Sequence, residues 1–161
     1  MTSELYLDPL AAAAALLDHI IGNEACGDPL NELAARIDAF MYALRFLRID
    51  AVNYIQDTDA IPPKMPPEHW RETIDKRFSR LGLYWSVSTR MIPGKDFEIF
   101  VGDAINDLSD IARELSDVLW YSKNFGRDEA LAALRCRYEH HLNMHLMPLR
   151  AHLEEEIFEL Y

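Results

Sequence analysis

Two histidines four residues apart, His141 and His145, have the types and spacing best suited to chemistry in this chain. An HxxxH pair on one face of a helix presents two imidazoles to one metal ion, and a zinc or iron site then needs a third protein ligand from elsewhere. Leu142 stands where a metalloprotease HExxH motif has its Glu, which excludes that class. The alternative is a pair of core-edge imidazoles bonded to carboxylates or backbone carbonyls, with no metal.

A run of acidic residues upstream is the natural source of further ligands. Spacings of 4, 3, 4 and 3 place five carboxylates along one side of a predicted helix, and we call this set the acidic ridge: Asp103, Asp107, Asp110, Glu114 and Asp117. Asp107 and Asp110, near its middle, are the predicted metal ligands beside His141 and His145. The apolar residues of this helix centre about 140° away, which favours a solvated acidic face. The alternative role of the whole ridge is to bind a partner.

The elements that must position these residues are helices. Gly and Pro residues divide the chain, and between them the apolar spacing is helical. Asp8-Pro9 and Asp28-Pro29 each predict a helix start, since an acid caps the helix and Pro suits its first turn. Residues 1–161 are therefore predicted to form a single all-α domain, an antiparallel bundle of five to six helices.

Five segments carry the helical pattern. They are an apolar run at 10–17, a long segment at 30–55, a third at 70–81, a fourth from Phe97 or Asp103 to Phe125, and a fifth from Asp128 that is kinked or split at Pro148. The stretch from Leu83 to Val87 favours a strand but is too short and isolated to imply a sheet. Cys26 and Cys136 lack the spacing of a zinc site and are predicted to be core side chains.

Composition limits the partners. The 161 residues carry a net charge of −11, which disfavours nucleic acid and anionic membranes. No stretch approaches the roughly 20 apolar residues of a membrane-spanning helix, and no export signal is recognisable, so a cytoplasmic protein is expected. Residues 64–95 have seven basic and three acidic side chains, whereas residues 96–130 have three basic and nine acidic ones. This asymmetry makes a homo-oligomer a reasonable expectation.

The last two thirds of the chain resemble a bacterial family catalogued as domain of unknown function 5063. The likeness rests on the run at 107–115, Glu129-Ala130, Glu139, the His141 and His145 pair, and the segment at 149–151, with Trp70 and Tyr84-Trp85 upstream. It implies a helical bacterial domain and brings no activity with it. Glu114 and Asp117 also look like the ExxD half of the MazG-type nucleotide pyrophosphohydrolases, but the EExxE half that would complete their magnesium cluster is absent.

These observations predict a binding or regulatory module that presents the acidic ridge and the core-edge histidines to a partner protein or a second copy. One alternative is a divalent-metal-dependent hydrolase, in which His141, His145 and Asp107 or Asp110 hold an ion that activates water. Another is a purely structural bundle whose polar pairs fix helix register. The chain contains no serine-hydrolase elbow, phosphate loop or dinucleotide fingerprint.

Overall fold

The computed structural model describes residues 8–22, 27–47, 61–64, 66–87 and 99–159. Its helices are α1 (Pro9–Ile21), α2 (Pro29–Arg45), α3 (Pro67–Arg77), α4 (Ala104–Phe125), α5 (Arg127–Arg137) and α6 (Asn143–Phe158), with a π-helical turn (Tyr138–Leu142) between the last two. The strands are β1 (Leu83–Val87) and β2 (Ile99–Asp103). The protein is a mostly helical bundle, which confirms the predicted all-α class.

The predicted helix starts are confirmed by their caps. The carboxylate of Asp8 accepts from the backbone amide of Leu10 at 3.0 Å, and that of Asp28 accepts from the amide of Asn31 at 3.1 Å. Pro9 and Pro29 follow directly, in the first turn, where the missing amide proton costs nothing. Beyond Arg45, the predicted extension of the second helix falls largely on residues outside the described ranges.

Helix α4 is the centre of the bundle. It packs against α1, α3, α5 and α6, and several of its apolar side chains are completely buried, among them Leu108, Ile111 and Leu115. It ends at Gly126, whose φ of 105° lies in a region that other residues rarely adopt. The turn at Gly126 brings α5 back along α4. The helical segments that follow α4 therefore lie beside the acidic ridge.

The helical segments that carry the histidines follow one another without a break. Helix α5 passes through the π-helical turn into α6, and Pro148 lies inside α6, which runs on to Phe158. Of the two predicted effects of Pro148, a kink or a split, the split was therefore wrong. Leu146 and Leu149 on either side of the proline are completely buried, so core packing maintains the helix across the lost backbone hydrogen bond. The regular α-helical hydrogen bonding changes instead at the π-helical turn, which contains His141.

A small sheet caps one end of α4. Strand β1 pairs antiparallel with β2, with Leu83 opposite Asp103 and Val87 opposite Ile99. The prediction that this stretch implies no sheet was wrong, because its partner strand comes only after residues 88–98, in a segment assigned to the start of the fourth helix. Of the two predicted starts of that helix, Asp103 is confirmed: its carboxylate caps the amides of Ile105 and Asn106.

The sequence predicts core positions for both cysteines. Cys136 is a free thiol that is only partly buried, so its placement in the core was wrong, while Cys26 lies outside the described residues. Cys136 lies on an outer side of α5, where its backbone carbonyl accepts from the ring of exposed His140 at 2.8 Å.

None of the helices in the described ranges combines the length and apolarity needed to cross a bilayer.

Candidate functional site

His145 is fixed to the acidic ridge through one ring nitrogen. Its Nδ1 lies 2.8 Å from Oδ1 of Asp107, a carboxylate that is itself buried in the first turn of α4. The side chain of His145 is 17% exposed, so the pair is largely shielded from water. Because a carboxylate only accepts hydrogen bonds, this contact places a proton on Nδ1 and leaves Nε2 facing away from Asp107.

His141 repeats this arrangement one turn earlier. Its Nδ1 is hydrogen-bonded to Oε1 of Glu114, which is buried on α4. Among the described residues the second oxygen of Glu114, Oε2, has no hydrogen-bond partner, although it is out of contact with solvent. The His141 ring is 42% exposed at its outer side. The site therefore lies at the rim of the core and opens to solvent past His141.

The two rings meet through their remaining nitrogens. Nε2 of His141 lies 3.2 Å from Nε2 of His145, and the rings meet edge-on, with centroids 4.5 Å apart and an interplanar angle of 73°. His141 belongs to the π-helical turn and His145 to α6. A π-helical turn inside a longer helix frequently marks a functional site. We call this cluster of His141, His145, Asp107, Asp110 and Glu114 the two-histidine site.

Asp110 stands beside this pair without a bond to either ring. Its Oδ2 is 3.9 Å from Nε2 of His145 and accepts from the side-chain Nδ2 of Asn106 at 3.3 Å. Its other oxygen forms an ion pair with Arg113 at 2.7 Å. All four predicted metal ligands thus lie together. Within the described ranges, however, no three His, Cys, Asp or Glu side chains are gathered as a ready metal-binding group.

The acidic ridge is not the solvated face that wheel geometry favours. Asp107 and Glu114 are buried and the other three acids are partly buried, because α4 is surrounded by four helices and has little free surface. The outer members pair with arginines: Asp103 with Arg71 at 2.8 Å, and Asp117 with Arg137 at 3.0 Å. As a surface for a basic partner, the ridge is therefore largely neutralised within the chain.

The electrostatics of the site follow from these contacts. The hydrogen bond to Asp107 raises the pKa of His145, and burial opposes it only in part. Burial raises the pKa of Asp117, against the opposing charges of Arg137 and Arg113. Burial also acts to raise the pKa of Asp103, but hydrogen bonds from Arg71 and the amide of Asn106 outweigh it, so that pKa is lowered. The inner cluster thus favours a cation, and the ends of the ridge are ion-paired.

Sequence reasoning missed two contacts of the site, those of Glu114 and Tyr84. Glu114, the partner of His141, was assigned only to the partner-binding ridge. In an antiparallel pair of helices the earlier acid meets the later histidine, so Asp107 with His145 and Glu114 with His141 is the order that the predicted topology favours. Tyr84 was also missed: its hydroxyl donates to Oδ2 of Asp107 at 2.5 Å from strand β1. No sequence pattern signals that contact.

Comparison of the chain with family models, curated proteins and solved structures finds no significant match. Membership of the family catalogued as domain of unknown function 5063 therefore stays a prediction.

Proposed function

We propose that this protein is a metal-binding module that holds one divalent transition-metal ion between Nε2 of His141 and Nε2 of His145. The observation that carries the proposal is the 3.2 Å separation of these two nitrogens, each on a ring whose other nitrogen is bonded to a buried carboxylate. The ion takes the place of the partner protein in the predicted binding role, and its ligands are those predicted for the metal-dependent alternative.

The first support is a hydrogen-bond argument. A neutral imidazole has one donor nitrogen and one acceptor nitrogen. Because Glu114 and Asp107 accept from the two Nδ1 atoms, both Nε2 atoms of the neutral rings carry lone pairs, and these two nitrogens lie 3.2 Å apart. Two acceptors at this distance need a cation between them, which is either a proton or a metal ion. A shared proton is the competing interpretation, and it corresponds to the structural-bundle alternative.

The second support is distance. Zinc binds histidine nitrogen at about 2.0–2.1 Å, and two such nitrogens at a tetrahedral angle lie about 3.3 Å apart. The observed separation of 3.2 Å therefore suits a shared ion with little movement of either ring. Metal-bound histidines also commonly donate their second nitrogen to a carboxylate, which fixes the ring and increases its basicity. Asp107 and Glu114 stand in that role.

The third support is charge. Three carboxylates, those of Asp107, Asp110 and Glu114, surround the two imidazoles in a partly buried setting where charges interact more strongly than in water. Oδ2 of Asp110 lies 3.9 Å from Nε2 of His145 and is the proposed third ligand. With two imidazole ligands in place, Asp110 and water complete the coordination. Imidazole with oxygen ligands suits zinc, iron, nickel or copper better than magnesium or calcium.

The test is a titration of untagged, chelator-treated protein with Co²⁺, followed by visible absorption, and with Zn²⁺, followed by calorimetry. We expect one ion per chain, with binding weakened at least ~10-fold in His141→Ala and in His145→Ala. His140→Ala is the matched control, because His140 is adjacent but exposed and bonded to the carbonyl of Cys136. Absence of stoichiometric binding, or equal loss in His140→Ala, would overturn the proposal in favour of a shared proton.

A further inference from the structure

Tyr84 reaches the two-histidine site from a different element. It lies on strand β1, whereas the members of that site lie on α4, the π-helical turn or α6. Its hydroxyl donates to Oδ2 of Asp107 at 2.5 Å, while Oδ1 of the same carboxylate faces Nδ1 of His145 at 2.8 Å. Tyr84, Asp107 and His145 thus form a continuous series of hydrogen bonds from strand β1 to the imidazole.

The Tyr84 ring is held on both faces. On one side it covers Gly102 in the paired strand β2, where a Cβ atom would overlap the ring at Cζ and at both Cε atoms. On the other side it stacks on buried His152 of α6, with ring centroids 4.8 Å apart and an interplanar angle of 14°. Glycine at 102 is therefore required by the close approach of this ring. The hydroxyl is aimed by the sheet and by α6 together.

We propose that Tyr84 is a positioning residue that sets the metal affinity of His145 by orienting Asp107. A free carboxylate can rotate and offer either oxygen in several directions. With Oδ2 held by the tyrosine, Oδ1 stays directed at Nδ1 of His145, the ring proton stays on Nδ1, and Nε2 stays the metal donor. The small sheet of β1 and β2 thereby sets the metal affinity of a site whose ligands lie on helical segments. The effect on metal affinity rests on the proposed function, whereas the effect on the ring proton does not.

The test uses Tyr84→Phe, which removes the hydroxyl and keeps the ring. In long-range ¹H–¹⁵N spectra of the metal-free protein, recorded at an alkaline pH where the ring ¹⁵N shifts are those of neutral imidazole, we expect the His145 proton to shift from Nδ1 toward Nε2. The same variant should bind Co²⁺ about 3- to 10-fold more weakly, at or below the low end of the loss seen on removing outer-shell partners. Tyr121→Phe, on a partly buried ring of α4 that packs against the core, is the control for loss of a phenol.

Gly102→Ala provides a second variant that keeps the hydroxyl and displaces the ring, and it should move both readouts in the same direction. Folding of each variant is checked by circular dichroism. An unchanged His145 proton position in the folded variants would overturn the inference. If the wild type binds no Co²⁺ but Tyr84→Phe still moves the proton, the proposed metal function fails and the positioning role of Tyr84 stands.

Discussion

His145 donates from Nδ1 to Oδ1 of Asp107 across 2.8 Å, and this bond joins the first turn of the central helix α4 to α6. The two residues are 38 positions apart in the chain. Helix α4 also contacts α6 through apolar side chains, so the bond adds direction to an interface that hydrophobic burial already stabilises. The same bond decides which nitrogen of His145 is left to bind a ligand.

Removal of the Asp107 carboxylate should cost stability. In Asp107→Ala, the Tyr84 hydroxyl and the Nδ1 proton of His145 both lose their acceptor in a poorly solvated place. A buried donor without a partner costs about 1–3 kcal/mol, so we expect the free energy of unfolding to fall by at least ~2 kcal/mol. Urea denaturation of the wild type and the variant measures this difference in the free energy of unfolding. Asp128→Ala, on an exposed acid, controls for the change in net charge, and an equal effect of both substitutions would contradict the role assigned to Asp107.

Gly126 should resist substitution far more than Gly82. The φ of 105° and ψ of −178° at Gly126 belong to a region used almost only by glycine, so Gly126→Ala is expected to lower the free energy of unfolding by about 1–3 kcal/mol. A Cβ atom at Gly82 meets nothing within 4 Å, so Gly82→Ala should change stability by no more than about 0.5 kcal/mol. Thermal unfolding of both variants measures the difference. Similar values for the two would show that the turn between α4 and α5 does not require a glycine.

His19 should make the bundle sensitive to mild acid. Burial lowers the pKa of His19 below 6.5, with the hydrogen bond to the Pro29 carbonyl opposing and the charge of Arg77 assisting. The unfolded chain therefore binds a proton at a higher pH than the folded chain does. The contribution of neutral His19 to stability is present above about pH 6.5 and is lost as the pH falls below it.

The measurement is the free energy of unfolding at several pH values between neutral and mildly acidic for the wild type and for His19→Gln, whose amide does not titrate. We expect the wild type to lose more stability than the variant as the pH falls. Parallel curves would mean that His19 titrates equally in both states, contrary to the effect of its burial.

The ion pair between Arg71 and Asp103 should contribute little, although it links α3 to the cap of α4. Its side chains are about half and one third exposed, so solvent screens their attraction. We expect Arg71→Ala to lower the free energy of unfolding by less than ~1 kcal/mol, and by less again in high salt. A larger loss that persists in high salt would show that this pair acts as a buried one.

The features predictable from the sequence are those with local causes. Asp8 and Asp28 mark helix starts because their carboxylates bond amides two or three residues onward, and Gly126 marks a stop because its backbone needs an unusual φ. The approach of Asp107 to His145 was also predictable, since it follows from two amphipathic helices that are neighbours in sequence. Each of these inferences needs only short-range geometry or a single turn.

The features that were missed depend on tertiary contacts. The pairing of β1 with β2 joins segments separated by residues 88–98, and Tyr84 reaches Asp107 only because that sheet caps α4. Burial of the acidic ridge depends on how many helices surround α4, which wheel geometry cannot count. The π-helical turn adds a local change of register at His141 that a regular period of 3.6 residues does not predict.

The most direct test of the metal-binding account is a Zn²⁺ titration followed in long-range ¹H–¹⁵N spectra of the imidazole rings. The account predicts that the Nε2 signals of His141 and His145 shift together and saturate at one ion per chain, while both Nδ1 atoms stay protonated and His140 is unaffected. Nε2 signals that stay in place, or that move no more than those of His140, would contradict it.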